Sequence, residues 1–216
     1  MAPTPRQRTS SRVVPAPRED LCLEFTDTRY WRGSEPPTET LRGFGDVLAW
    51  CENAKLLDRS AVVELRSWER HQGSQATRLF GEVLDARETI YGLFSSVVAG
   101  NAASDRELDT LNRLLEQAPH RGAITITDAT FMWQLPPTHP TFASILAPVL
   151  WSAADLLVGA RLTRVRQCAN EKCQWLFLDD SKSGTRRWCS MSSCGNRAKA
   201  HRHYMRKPKA AREETR

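Results

Sequence analysis

The stretch CANEKCQWLFLDDSKSGTRRWCSMSSCGNR, residues 168–197, contains four of the six cysteines of this 216-residue chain. Cys168 pairs with Cys173 and Cys189 with Cys194; four residues separate the members of each pair and fifteen separate the pairs. Two short loops that each supply two thiolates are a typical ligand set for tetrahedral Zn²⁺. The segment is too poor in aliphatic residues to build a core of its own. The spacing therefore predicts one structural Zn²⁺ ion held by all four cysteines.

Other roles for the cysteines and histidines are weaker alternatives. Two disulfides would use the same cysteines, but residues 1–19 lack the apolar run of a secretory signal, which favours a reducing cytoplasm and a metal. Cys22 and Cys51 lie in apolar stretches and are expected to be core thiols. His201 and His203 are rival ligands, but residues two apart on a helix point in nearly opposite directions. We expect surface or packing roles for both.

No motif of an enzyme accompanies this site. Four cysteine ligands leave no coordination position for a reactive water, so the ion is expected to hold shape only. The sequence has no glycine-rich phosphate loop, no nucleophile elbow and no His-Glu metalloprotease motif. We expect that the protein is not an enzyme.

Charge is distributed unevenly along the chain. Residues 159–216 contain 15 Lys and Arg against 5 Asp and Glu, whereas residues 1–158 contain 16 basic and 20 acidic residues. A basic C-terminal quarter on an acidic body indicates a module that binds a polyanion. Duplex DNA is the predicted partner, and RNA or an acidic protein is the alternative.

The most basic element is a predicted helix over 195–207, ended by Pro208. Zinc would fix its start, and its cationic face is wide enough for Lys and Arg to contact phosphates and guanine edges in the major groove. The predicted DNA-binding residues come from this helix and the preceding loop: Arg186, Arg187, Arg197, Lys199, Arg202, Arg206 and Lys207. Trp175, Phe177 and Trp188 are expected to form a small core around the metal rather than to stack on bases.

The region before the finger has mainly helical periodicity. Apolar residues at three- and four-residue steps predict helices over 41–57, 60–71 and 75–99, and a further helix begins at a capping box of Ser104 and Glu107. The alternating stretches 123–127 and 131–135 flank Asp128-Ala129 and predict a β-hairpin. A helix from Thr141 to about Arg164 is then expected to lead into the basic module.

These patterns predict a mainly α fold with a small β-hairpin, followed by a treble-clef-like or ribbon-like four-cysteine finger that ends in a basic helix. The predicted divisions are a disordered tail (1–19), a helical domain (20–160), the finger (161–207) and a flexible tail (208–216). No membrane span is expected, because Pro148 and Asp155 interrupt the most apolar stretch, 142–160, and Arg161 follows it.

The finger resembles a known family, the CGNR zinc finger. The resemblance covers about 164–206 and rests on the two cysteine pairs, on the run Arg186-Arg187-Trp188-Cys189-Ser190-Met191 and on Cys194-Gly195-Asn196-Arg197. Residues 21–28, LCLEFTDT, and the layout that follows resemble the ABATE domain, which usually precedes this finger in bacterial proteins. The resemblance implies a stress-related transcription regulator of the bacterial cytoplasm whose four cysteines bind zinc and whose finger binds DNA.

The helical domain is expected to sense a small molecule or to mediate assembly into a homodimer. Five aromatic residues are candidates for a pocket, although ordinary core packing is the alternative: Trp31, Trp50, Trp68, Phe94 and Trp133. Charged residues near the start of the domain would lie at the mouth of such a pocket. The predicted ligand-binding residues are Glu24, Asp27, Arg29 and Trp31.

Overall fold

The computed structural model describes residues 12–135 and 141–213, with side chains except for Phe142 and residues 205–213. The helices are α1 Leu21–Thr26, α2 Phe44–Asn53, α3 Arg59–His71, α4 Gly73–Val98, α5 Asp105–Gln117, α6 Phe142–Ile145, α7 Ala147–Val158 and α8 Asn196–Glu213. The strands are β1 Arg12–Val14, β2 Arg29–Tyr30, β3 Thr38–Glu39, β4 Ala123–Thr127, β5 Thr130–Leu135, β6 Val165–Gln167 and β7 Leu176–Leu178. The predicted mainly helical class is confirmed.

Helix α1 lies at the centre of the core. Leu21, Leu23 and Phe25 are buried, and the helix packs against α4, α7 and strand β7 of the finger. Its first turn is anchored to α7, because the Cys22 N–H donates to Ser152 Oγ at 3.0 Å. An apolar helix this short gains its stability from such packing rather than from helix propensity.

The predicted helices of the body are present with shifted ends. Asp58 caps α3, since its Oδ1 accepts a hydrogen bond from the Ala61 N–H at 2.8 Å. Ser104 occupies the N-cap of α5, but its side chain makes no capping hydrogen bond. The predicted capping box is therefore wrong. The Glu107 carboxylate is turned instead towards Gly92 on α4, against which α5 packs.

The predicted hairpin is confirmed as β4 and β5. Asp128 and Ala129 form a two-residue turn with φ values of 49° and 59°. Positive φ at both positions gives a turn whose twist matches the right-handed twist of the flanking strands. A third strand extends the sheet to the order β1-β5-β4.

The predicted disordered tail is wrong where the structure describes it, because Arg12–Val14 forms strand β1. The β-branched pair Val13 and Val14 fits an edge of the sheet, and Val14 is fully buried. Residues 1–11 of the predicted tail lie outside the described residues.

The single long helix predicted from Thr141 to about Arg164 is also wrong. The structure divides it into α6, α7 and a 3₁₀ helix, Ala160–Arg164. Pro148 lies in the first turn of α7, where its missing N–H costs nothing, and so starts a new helix. Gly159 ends α7 with an extended backbone. Among the described residues, no helix has both the length and the apolar character that a membrane span needs.

The finger consists of antiparallel strands β6 and β7, a loop, a π-helical turn (Met191–Gly195) and α8. Helix α8 does not end at Pro208 as predicted but continues to Glu213. A proline inside a helix removes one backbone donor and crowds the carbonyl four residues earlier, but the Lys, Ala, Ala and Arg that follow it are good helix formers.

Candidate metal centre and basic surface

The four paired cysteines converge on one point. All four Sγ atoms lie within 4.8 Å of one another. Cys189 Sγ is 3.7 Å from Cys173 Sγ and 3.8 Å from Cys194 Sγ. Sulfurs at the corners of a tetrahedron with metal–sulfur bonds of ~2.3 Å would be about 3.8 Å apart. The cluster therefore has the dimensions of a tetrahedral four-thiolate Zn²⁺ site.

The first cysteine pair occupies the turn between β6 and β7. The Cys168 N–H donates to the Trp175 carbonyl at 2.8 Å and the Cys173 N–H to the Asn170 carbonyl at 2.8 Å. Asn170 also reaches the second pair, since its Nδ2 donates to Cys194 Sγ at 3.5 Å. Asn170 thus shapes the first turn and supports a ligand from the second.

The second pair is positioned by the loop that precedes α8. Arg186 Nε donates to the Trp188 carbonyl at 2.9 Å, and its Nη2 donates to the Cys189 carbonyl. Buried Asp179 accepts hydrogen bonds from the Ser181 and Arg186 N–H groups, each at 2.9 Å. Hydrogen bonds from Ser181 lower the pKa of Asp179, so its carboxylate stays ionised and can accept both of these bonds.

Aromatic side chains surround the sulfurs. Phe177 is buried with the cysteines, and Trp31, Trp175 and Trp188 pack against them. The predicted small core around the metal is confirmed for the three finger residues. Trp31 is an addition from the body.

A divalent cation suits the electrostatics of the cluster. A hydrogen bond from Cys173 lowers the pKa of the Cys168 thiol, and the same bond raises the pKa of the Cys173 thiol. Four ionised sulfurs at these distances would repel each other, and Zn²⁺ removes that repulsion by binding all four. When bound, the ion supplies a crosslink between the β6–β7 turn and the start of α8.

Cys22 and Cys51 are buried outside this cluster. Burial raises the pKa of each thiol to about 12, so both stay protonated. The prediction of core thiols is confirmed.

The body contacts the β6–β7 turn, which carries the first cysteine pair, through backbone hydrogen bonds. The N–H groups of Arg32 and Gly33 donate to the carbonyls of Cys173 and Lys172, both at 3.3 Å. On α4, the Tyr91 hydroxyl donates to the Gln174 carbonyl at 3.1 Å. Arg32 stacks on the Tyr91 ring at 3.8 Å.

A network of ion pairs lies behind this contact. Arg32 Nη1 lies 2.7 Å from Glu88 Oε2, and Arg87 Nε lies 2.9 Å from Glu88 Oε1. Arg87, of which 2% is exposed, also binds Glu39 through both of its terminal nitrogens at 2.7 and 2.5 Å. Local sequence patterns do not reveal the Arg32–Glu88 and Arg87–Glu39 pairs, because each joins residues from different elements.

The predicted DNA-binding residues divide into two groups. Arg186 organises the finger loop and stacks on Phe177 at 4.6 Å, and Arg197 stacks on Trp31 at 4.4 Å. All five of the predicted residues with described side chains are exposed, as are His201 and His203, and Arg187 lies over the Trp188 ring at 5.4 Å. The side chains of Arg206 and Lys207 lie outside the described residues, although α8 includes both positions.

The predicted ligand-binding residues do not lie in one pocket. Glu24 and Asp27 line a cleft together with Trp50, whereas Arg29 pairs with Glu88 at 3.2 Å and Trp31 lies at the metal centre. Burial raises the pKa of Asp27 well above its usual range.

The five predicted pocket aromatics are also dispersed. Phe94 is in the core, and Trp68 packs edge-on against Phe44 at 5.8 Å. Trp133 packs against the large core from strand β5, and Trp50 lines the cleft with Glu24 and Asp27. Their spacing in the sequence reflects core packing more than a shared pocket.

Comparison with known families agrees with this geometry. Residues 19–160 match the ABATE family, described as "putative stress-induced transcription regulator". The chain belongs to the ABATE family. Residues 164–207 match the CGNR zinc finger, which contains all four clustered cysteines. No curated protein matches the sequence.

Both predicted resemblances are therefore confirmed, in the predicted order along the chain. The ABATE region comprises the helical body, and the CGNR finger binds zinc through Cys168, Cys173, Cys189 and Cys194.

Proposed function

We propose that this ABATE-family protein is a zinc-dependent regulator of the bacterial cytoplasm that binds duplex DNA through α8. The observation that carries the proposal is the position of the exposed cations Lys199 and Arg202 on a helix that begins two residues after the zinc ligand Cys194. The metal thereby fixes the end from which the basic helix projects.

The dimensions of α8 support this role. An α-helix rises about 1.5 Å per residue and is narrow enough to lie in the ~12 Å wide major groove of B-DNA. In the described part of α8, from Asn196 to Tyr204, no side chain is acidic. This first half of the helix therefore offers phosphates a surface of one sign of charge.

A structural rather than catalytic metal supports a binding role. The four sulfurs complete the coordination shell, so no position is left for an activated water. The proposal accordingly includes no enzymatic activity.

A salt titration tests DNA binding. The affinity of the zinc-loaded protein for duplex DNA should fall steeply with salt, and Lys199→Gln or Arg202→Gln should each reduce the magnitude of the log–log slope by about one. Arg106→Gln removes the same charge from exposed α5 and should leave the slope unchanged. Absence of binding at low salt, or equal slopes for all variants, would contradict the proposal.

Competition separates this function from its alternative. Duplex DNA should displace a labelled duplex more effectively than single-stranded RNA or an acidic peptide does. If RNA or the peptide competes better, the finger is an adaptor and the proposed regulator of duplex DNA is wrong.

The body would bind a small-molecule ligand or mediate assembly of the chains into a homodimer. Assembly as a homodimer is supported by a cross-strand pair on the hairpin, Ile126 and Phe131, of which 65% and 72% are exposed. Sedimentation analysis should give a dimer, and Phe131→Ser should give a monomer. A monomer for the unaltered chain would refute assembly through this face.

A further inference from the structure

A small cleft lies where the body meets the finger. Its volume is about 230 Å³, below the ~300–1,000 Å³ of sites for drug-sized ligands, so it suits a molecule with few heavy atoms. The body contributes α1, α2 and the segment between them, and the finger contributes Trp175. A ligand in the cleft would therefore touch both parts of the protein.

Three aromatic residues form the walls of this cleft: Tyr30, Trp50 and Trp175. Tyr30 and Trp175 lie against each other with ring centroids 5.0 Å apart, and Trp50 lies 5.1 Å from Phe25 of the core. Both tryptophans are half-buried, so their contacts hold the rings in place while part of each ring stays accessible. The negative faces of such rings attract organic cations.

The charged residues of the cleft have the same sign as these ring faces. Glu24 and Asp27 line the cleft, together with two threonines, and none of its described lining residues is Lys or Arg. Glu24 is exposed and pairs with Arg18 at the outer edge. Burial raises the pKa of the Asp27 carboxyl group, and a bound cation would favour its ionised form, so the lining favours a positively charged ligand over an anion.

Asp27 has an unused hydrogen-bonding atom. Its Oδ1 is buried and has no partner among the described residues. The neighbouring Arg32 donates to Glu88 and to the Thr26 carbonyl instead. A second buried atom of the lining, Trp175 Nε1, is likewise without a partner. Buried polar atoms of this kind are normally hydrogen-bonded, and a hydroxyl group of a bound molecule could donate to Asp27 Oδ1 or accept from Trp175 Nε1.

We propose that this cleft binds a small organic ammonium compound, with the cation against the aromatic rings and beside the Asp27 carboxyl group. An inorganic divalent cation fits less well, because it prefers a shell of several oxygens and the cleft walls are aromatic. The proposal deepens the sensing role in the proposed function by naming the chemical class of the ligand.

The position of the cleft also links it to the metal centre. Tyr30 and Trp175 line a second cavity of about 240 Å³, together with the ligands Cys173, Cys189 and Cys194. The same two rings thus separate the cleft from the zinc site. A ligand that immobilises them would stabilise the finger as well as the body.

Calorimetry on the zinc-loaded full chain tests the proposal with three probes of similar shape. Choline carries a quaternary ammonium, 3,3-dimethyl-1-butanol is its neutral counterpart and 3,3-dimethylbutanoate is an anion. Choline should bind about tenfold more tightly than the neutral alcohol, and the anion should not bind. The proposal is overturned if the alcohol binds as well as choline, if the anion binds better, or if ~10 mM choline gives no heat of binding.

Matched variants locate the binding site. Trp50→Leu and Asp27→Asn should each weaken choline binding by about tenfold, whereas Trp133→Leu and Asp109→Asn, which lie outside the cleft, should not. Should Asp27→Asn fail to fold, Glu24→Gln at the exposed edge provides a second test, with a smaller loss. Equal losses in the control variants would contradict the assignment. The assay contains no DNA, so its failure is distinct from a failure of DNA binding.

Discussion

Gly33 lies at the closest approach between the body and the finger. Its N–H donates to the Lys172 carbonyl, and a Cβ at this position would overlap the carbonyl oxygen of Glu171. Gly33→Ala should therefore force the two backbones apart and lower the free energy of unfolding by about 1–3 kcal/mol. Urea denaturation measures the change.

A second glycine supplies the control. Gly81 lies inside α4 with nothing within 4 Å of a Cβ, so Gly81→Ala should raise the free energy of unfolding by up to about 1 kcal/mol. If both substitutions stabilise the protein, Gly33 does not lie as close to the Glu171 carbonyl as described.

Glu39 makes stability depend on pH. Burial alone would raise the pKa of Glu39, but hydrogen bonds from Arg87 outweigh it and hold the pKa below its ordinary value of 4.5. A carboxyl with a lowered folded-state pKa stabilises the protein above the unfolded-state pKa, and this stabilisation is lost as pH falls through the folded-state pKa.

Glu39→Gln should therefore flatten the loss of stability in acid. At pH 7 it should also cost about 1–3 kcal/mol, because buried Arg87 loses one of its two charged partners. Urea midpoints between pH 7 and pH 3 measure both effects. Glu116→Gln, on the exposed side of α5, should follow the unaltered protein; an equally flat profile for this control would contradict the assignment to Glu39.

At the residue level, the metal ligands could be predicted from the sequence, but the body residues that contact the finger could not. Cys168, Cys173, Cys189 and Cys194 were predictable because ligand spacing within one short segment encodes a metal site directly. Arg32 and Tyr91 were not predictable as supports of the finger, because their roles depend on contacts with residues more than 75 positions away. The hydrophobic periodicity of a segment does not indicate such long-range contacts.

Strand β1 gives a prediction at the level of elements. Val14 is fully buried and Val13, its neighbour on the opposite face, is half-buried. Val14→Thr places a hydroxyl in the core and should cost about 1–3 kcal/mol, whereas Val13→Thr should cost much less. Thermal unfolding compares the two variants, and equal costs would mean that β1 does not pack as described.

The errors in element prediction have local causes. Three residues paired to a distant hairpin carry too little periodicity to distinguish strand β1 from a tail. The long predicted helix failed because apolar periodicity continues across Leu146 and Gly159, although the helix is interrupted at both. Long amphipathic helices such as α4 were predicted well because their pattern extends over several turns.

At the level of the whole molecule, the body and finger are expected to differ in their need for metal. The body has an extensive apolar core, to which β6 and β7 add Val165, Leu176 and Leu178, whereas the residues around the metal form a small cluster of cysteine and aromatic side chains. Chelation of zinc should therefore unfold the finger and leave most of the body intact. Hydrogen exchange should accelerate in residues 168–175 and 179–195 and stay slow in α4; simultaneous loss of protection in both would show that the body also depends on zinc.

Native mass spectrometry under reducing conditions tests the central claim, that one zinc ion held by four cysteines fixes the start of α8. The account predicts one Zn²⁺ per chain, retained by Cys51→Ala and lost by Cys194→Ala, with the finger amides protected from exchange only when zinc is present. A fully reduced, metal-free chain whose finger amides remain protected would contradict it.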